Sequence, residues 1–159
     1  MSESGRPARR RQRWWRPRAA PPAAEPQFEN PTPKPPENQM RDDMLTTILN
    51  DLNGSSVDIE ASAVVSADGL MMASLLPPGL EADRMGAMSA AMLALGSRTA
   101  EELARGGLEQ VLIKGENGYV LLTQAGTEAV LAVVTRPSAK LGLIFLDVRR
   151  AAEKIAKFL

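Results

Sequence analysis

The chain has 159 residues, enough for one domain of ordinary size plus an extension. It is 44% apolar but only 4% aromatic, so its core must be aliphatic; with no Cys and no His, it has no disulfide, no thiolate chemistry, no Ser-His or Cys-His nucleophile and no imidazole metal site. The formal net charge of zero hides an asymmetry: residues 1–39 carry seven Arg and one Lys against four Glu, whereas residues 40–159 carry 11 basic against 15 acidic side chains.

Nine of the twelve prolines fall in residues 1–39, where hydrophobic periodicity is absent. Such a segment cannot bury enough apolar surface to offset its ordering entropy, so it reads as a disordered Arg/Pro-rich tail ahead of a folded domain at 40–159. Its sharpest feature is the cluster Arg10, Arg11, Arg13, Trp14, Trp15 and Arg16. Clustered Arg beside interfacial Trp suits an anionic membrane surface. The same mixture suits nucleic acid, less well than a membrane, and a plain soluble arm is the favoured reading over both. No run of 18 uncharged apolar residues exists, and no apolar segment follows the basic N-terminus, so neither a membrane span nor a secretory signal is read and the cytoplasm is the expected location.

Met40 opens the periodic part. Leu45, Ile48, Leu49 and Leu52 recur at helical spacing, with Asp42 and Asp43 near the helix start and Asn53-Gly54 as its stop. Ile59, Ala61, Ala63 and Val65 alternate as a strand, Asp68-Gly69 signals a hairpin, and Leu70 to Leu75 returns. Pro77-Pro78-Gly79 breaks the pattern. A long helix is expected from Glu81 to Arg105, ended by Gly106-Gly107, with Met85, Met88, Met92, Leu95 and Leu103 on one stripe; the methionines read as core in preference to an adaptable binding surface. Leu108 to Lys114 and Tyr119 to Thr123 form a second hairpin around Asn117-Gly118. The apolar run Ala129 to Thr135 reads as a central strand. After Pro137, Leu141, Ile144, Phe145, Val148, Ala152 and Ile155 fit a closing helix, although Leu141, Leu143 and Phe145 also alternate. The order αββαβββα describes an α+β fold, a five-stranded antiparallel sheet sandwiched by helices.

The sequence lacks a GxxxxGK[ST] loop and a GxGxxG turn. Adjacent carboxylates such as Asp42-Asp43 and Glu101-Glu102 diverge on a helix and form no dyad. The chain is not expected to be an enzyme or to carry a cofactor.

Several segments, taken in order, carry a resemblance: Ala63-Val64-Val65-Ser66-Ala67-Asp68-Gly69-Leu70, then Glu109-Gln110-Val111-Leu112-Ile113-Lys114-Gly115, Gly118-Tyr119-Val120-Leu121-Leu122, Ala129-Val130-Leu131-Ala132-Val133 and Ala139-Lys140-Leu141-Gly142-Leu143. Over about residues 40–158 the chain resembles the Roadblock/dynein light-chain superfamily, with its profilin-like fold, and in particular its MglB-like bacterial members. The resemblance implies a dimer in which two five-stranded sheets join through their third strands and the long middle helices lie side by side. It also implies association with a small Ras-like GTPase, whose hydrolysis MglB-like members stimulate without hydrolysing nucleotide themselves.

The residues suit such a homodimer. Leu108 to Lys114 reads as an edge strand made apolar by Leu108, Val111, Leu112 and Ile113, with Gln110 among the interface candidates, and such an edge is an aggregation hazard unless it is paired. Gly86, Ala87, Ala90, Ala91 and Ala94 give the middle helix a small-residue face for close helix packing, or simply a face for its own sheet. Arg84, Arg98, Glu101, Glu102 and Arg105 are the candidate GTPase contacts. An arginine finger could accelerate hydrolysis by about 10³–10⁵, but ordinary helical ion pairing is the favoured reading of these arginines. A nucleotide-independent dimeric adaptor is the alternative function, and a signalling accessory near a sensor kinase a third.

Overall fold

The computed structural model describes residues 36–159. The element order is α1 (Pro36–Ser55), β1 (Ile59–Ser66), β2 (Met71–Leu75), α2 (Ala82–Glu102), β3 (Gln110–Gly115), β4 (Gly118–Ala125), β5 (Ala129–Thr135) and α3 (Leu141–Ala156). This is the expected αββαβββα order. The tail candidates Arg10, Arg11, Arg13, Trp14, Trp15 and Arg16 lie outside the described residues.

The helix α1 starts at Pro36, ahead of Met40. Proline suits the first helical turn, where its missing N–H would have had no partner. The early turns are exposed and polar, so no apolar period announces them. Further along, the Thr46 and Thr47 hydroxyls donate to the carbonyls of Asp42 and Asp43, at 2.8 and 2.9 Å. Only Leu45, Ile48, Leu49 and Leu52 turn inward.

The five strands pair antiparallel in the order β2-β1-β5-β4-β3. The apolar run Ala129–Thr135 is the central strand, and β2 and β3 are the edges. Both hairpins form where the sequence places them. Gly118 holds φ +143, and a Cβ there would collide with the Thr135 carbonyl. Strand β5 thus passes too close for any side chain at the start of β4.

Helices α1 and α3 cover one sheet face. Their core includes Leu45, Leu49, Val64, Leu121, Leu131, Val133, Ile144, Val148 and Ile155. Each such side chain, fully buried, contributes about 1.5–3 kcal/mol. On the opposite face, among the described residues, α2 is the one helix that packs on Ala63, Val65, Leu122, Val130 and Ala132, through the buried Met85. Two elements therefore share one face while a single helix serves the other.

Two expectations for α2 need correction. The stripe read as core is only partly inside: Met85 is buried and Met92 partly so, but Met88, Leu95 and Leu103 are 56, 61 and 63% exposed. The helix also ends at Glu102 rather than at Arg105. Ala104 turns left-handed (φ +53), its N–H reaching the Glu101 carbonyl while Arg105 N–H reaches Ala100 at 2.7 Å. The chain leaves the helix before Gly106-Gly107.

Candidate functional site

Helix α2 crosses the sheet from the β1–β2 turn, where Gly86 meets Gly69, to Leu108 and Val111, where Gly96 meets them. The cover it gives this face is a band one helix wide, about 10 Å, and the sheet beside that band has no second helix over it among the described residues. The uncovered part is a groove of about 620 Å³. Met85, Met88 and Met92 of α2 form one wall, and Ile113, Val120, Leu122 and Val134 supply the sheet floor. Arg84 and Glu81 also border it. Alternation explains the floor: Val111 pairs with Leu122 and Ile113 with Val120, so these four share the α2 side.

The groove runs to an open sheet edge. Among the described residues, strand β3 pairs only with β4. Its Leu112 and Ile113 are 44 and 38% exposed. The other edge, β2, is five residues long and is followed by Leu76-Pro77-Pro78, a device that blunts pairing. Strand β3 carries no proline. Where α2 meets β3, a Cβ on Gly96 would stand 3.0 Å from Leu108 and 3.1 Å from Val111. The sequence reading missed Gly96, whose signal was a lone glycine inside an apolar helix.

The small-residue face divides in two. Gly86 is buried, and a Cβ there would collide with the Gly69 carbonyl in the β1–β2 turn. Ala90 packs against the same turn. Within one chain these two pack on that turn, the packing role left open for this face by the sequence. Ala87, Ala91 and Ala94 are exposed, and with Met88 and Leu95 they form an apolar stripe beside the groove. Leu108, Gln110 and Val111 are half-buried, and Leu112 and Ile113 open outward.

The polar candidates gather at both ends of α2. Arg84 flanks the groove near the N-terminus. At the C-terminus Arg98 Nε lies 2.9 Å from Glu102 Oε1, an i,i+4 ion pair with both side chains largely exposed. Arg105 Nε donates to the Leu103 carbonyl at 2.8 Å, satisfying an acceptor at the helix end. Glu101 is exposed. Both C-terminal arginines are therefore engaged within their own helix end, and an exposed pair of this kind holds its geometry weakly. Among the described residues no group of His, Cys, Asp or Glu could hold a metal, and no helix is long and apolar enough to cross a membrane.

The comparisons with known proteins agree with this architecture. The Roadblock/LC7 domain profile matches residues 47–135. The uncharacterized protein MJ1340 of Methanocaldococcus jannaschii is 44% identical over 112 residues, covering 70% of this chain and 96% of that one. The gliding protein MglB from Thermus thermophilus superposes with a TM-score of 0.67 at 19% identity, over 74% of this chain and 90% of that one. A Roadblock/LC7 domain from Streptomyces avermitilis gives 0.67 at 18% identity, over 71% and 95%. At these identities the two structures bear on fold alone. The profile match over more than half the chain, the curated relative and the strand order together place the chain in the Roadblock/LC7 family.

Proposed function

We propose that this protein is a homodimeric platform for a small Ras-like GTPase, paired through β3 and the exposed stripe of α2. The observation that supports it best is continuity: a bare strand edge, an apolar helix stripe and a 620 Å³ apolar groove form one surface. Exposed apolar patches of this extent mark interaction sites. Antiparallel pairing of β3 with its own copy would satisfy the open backbone groups and bring the second α2 over Ala87, Ala91 and Ala94.

In this reading the GTPase meets the polar parts of α2: Arg84 at one end and Arg98, Glu101, Glu102 and Arg105 at the other. The protein acts by binding: Arg98 and Arg105 rest on Glu102 and the Leu103 carbonyl at 2.9 and 2.8 Å, exposed contacts weak enough to exchange for a partner's carboxylates. The full chain used as bait in lysate, with a non-hydrolysable GTP analogue and separately with GDP, is expected to enrich a small GTPase in one nucleotide state. Equal capture in both states would sink the regulator reading and favour the nucleotide-independent adaptor.

A further inference from the structure

The opposite side of the molecule has its own exposed surface. Helices α1 and α3 pack side by side and run antiparallel: Ser55, at the end of α1, bonds Asp147 in the first half of α3 at 3.1 Å, while Met40 and Met44, early in α1, share a hollow with Phe158 beyond α3. Their charges are opposite. Residues 36–55 hold Glu37, Asp42, Asp43 and Asp51 against Arg41, net −3, and residues 140–157 hold five basic side chains against two acidic, net +3.

The two acidic groups on the α3 side already have contacts, Asp147 with Ser55 and Glu153 with Arg149 at 3.6 Å. No ion pair among the described residues engages Arg150, Lys154 or Lys157, nor Asp43 or Asp51. The same surface exposes large apolar side chains: Met40 at 69%, Leu143 at 61% and Leu146 at 45%, with Met44 and Phe158 partly covered.

We propose that the α1–α3 layer is a second self-association surface, on which two copies pack face to face and the acidic α1 of each lies on the basic α3 of the other. Charge selects the symmetry. A two-fold axis running parallel to the helices carries α1 onto the other copy's α3, twice over, as an isologous contact requires. Because the helices are antiparallel, the same rotation sets the acidic first half of α1 opposite Lys154 and Lys157. A two-fold across the helices would put α1 on α1 and α3 on α3, like charge on like.

Size sets the strength. Helices of 20 and 16 residues are about 30 and 24 Å long, and two side by side are about 20 Å wide. That footprint buries roughly 500 Å² per copy, at the lower limit for a specific contact, so the association is weak and salt-sensitive. The contact does not depend on β3 pairing. A chain that used both would grow beyond two copies, because one axis lies at the β3 edge and the other over the α1–α3 face.

The test is sedimentation velocity of the full chain at low salt over a wide concentration range, in an L112D background that removes β3 pairing. One variant carries Arg150→Glu, Lys154→Glu and Lys157→Glu; the other carries Glu37→Lys, Asp43→Lys and Asp51→Lys. Each alone is expected to weaken self-association on the order of a hundredfold, from six lost pairs per contact. Mixed in equal amounts, the two should associate one to one, which also shows that both are folded. Reversed variants that associate like the parent, or a mixture that stays apart, would overturn the proposal. A parent that remains monomeric at every concentration would also overturn it and leave the basic face of α3 to an acidic partner of another kind. If L112D changes nothing in the otherwise unaltered chain, the β3 reading fails while this comparison still stands.

Discussion

Replacing Leu112 by Asp tests the β3 dimer directly. The strand spans Gln110–Gly115, so any near-complete antiparallel overlap with its own copy puts Leu112 and Ile113 at or beside the two-fold axis. Leu112 is 44% exposed in the single chain. Full burial of a leucine is worth about 1.5–3 kcal/mol, so about 1 kcal/mol remains to be gained per copy and about 2 per dimer. Aspartate forfeits this and adds two facing carboxylates, each with a desolvation cost and a like-charge penalty of up to about 1 kcal/mol. The expected total of about 3–5 kcal/mol raises the dimer dissociation constant by about 10²–10⁴. The folded monomer should lose only about 1–2 kcal/mol, because Leu112 is 44% exposed there and just the covered part is at stake. Sedimentation equilibrium gives the dissociation constant and urea denaturation gives the stability. Val57→Asp, at a position 87% exposed in the α1–β1 turn, controls for a bare change of charge and apolarity. An L112D protein that dimerises as tightly as its parent would refute the pairing through β3.

Four smaller predictions follow from local geometry. Gly86→Ala should destabilise the domain by about 2–3 kcal/mol, read by thermal unfolding, because the new methyl meets the Gly69 backbone and the hairpin must shift. Ala104→Gly should stabilise it by about 0.5–1 kcal/mol, read in urea, since φ +53 strains a residue with a Cβ. Ser62→Ala should be neutral or stabilising by about 1 kcal/mol, because the fully buried hydroxyl has no hydrogen-bond partner among the described residues; a loss above that would reveal a hidden partner. Arg98→Glu should leave stability within about 0.5 kcal/mol, since its ion pair is exposed, yet weaken capture of the proposed GTPase partner in lysate.

The sheet was legible because each strand carried its own signal. Alternation marked Ile59–Val65, a continuous apolar run marked the twice-covered β5, and Asp68-Gly69 and Asn117-Gly118 fixed the turns. The errors fall where sequence pattern and burial in one chain part company. Met88 and Leu95 keep helical spacing with Met85, so periodicity alone counts them as core, but a single α2 cannot put all of its apolar surface on one sheet. The small residues divide in the same way: Gly86 and Ala90 are small because a turn approaches them, while Ala87, Ala91 and Ala94 are small on an open face. Composition gives the two sets the same appearance. The first turns of α1 were missed because they bury nothing, and helix propensity without an apolar period is a weak signal.

The unequal cover of the two sheet faces links fold to function. With α1 and α3 on one side, each inward residue of β1, β4 and β5 finds cover within the chain. On the other side α2 lies across the sheet from the β1–β2 turn, fixed by Gly86, to Leu108 and Val111, fixed by Gly96. Two close contacts, one at each end, hold the helix in a position that leaves Val120, Leu122 and Val134 lining an open groove. A larger residue at either glycine would lift one end of α2 from the sheet and alter the groove wall carrying Met85, Met88 and Met92. The groove is therefore a consequence of how the helix is seated, and Gly96→Leu should impair self-association at least as strongly as it lowers stability. A protein whose stability falls while its dimer dissociation constant stays fixed would show that the groove takes no part in pairing.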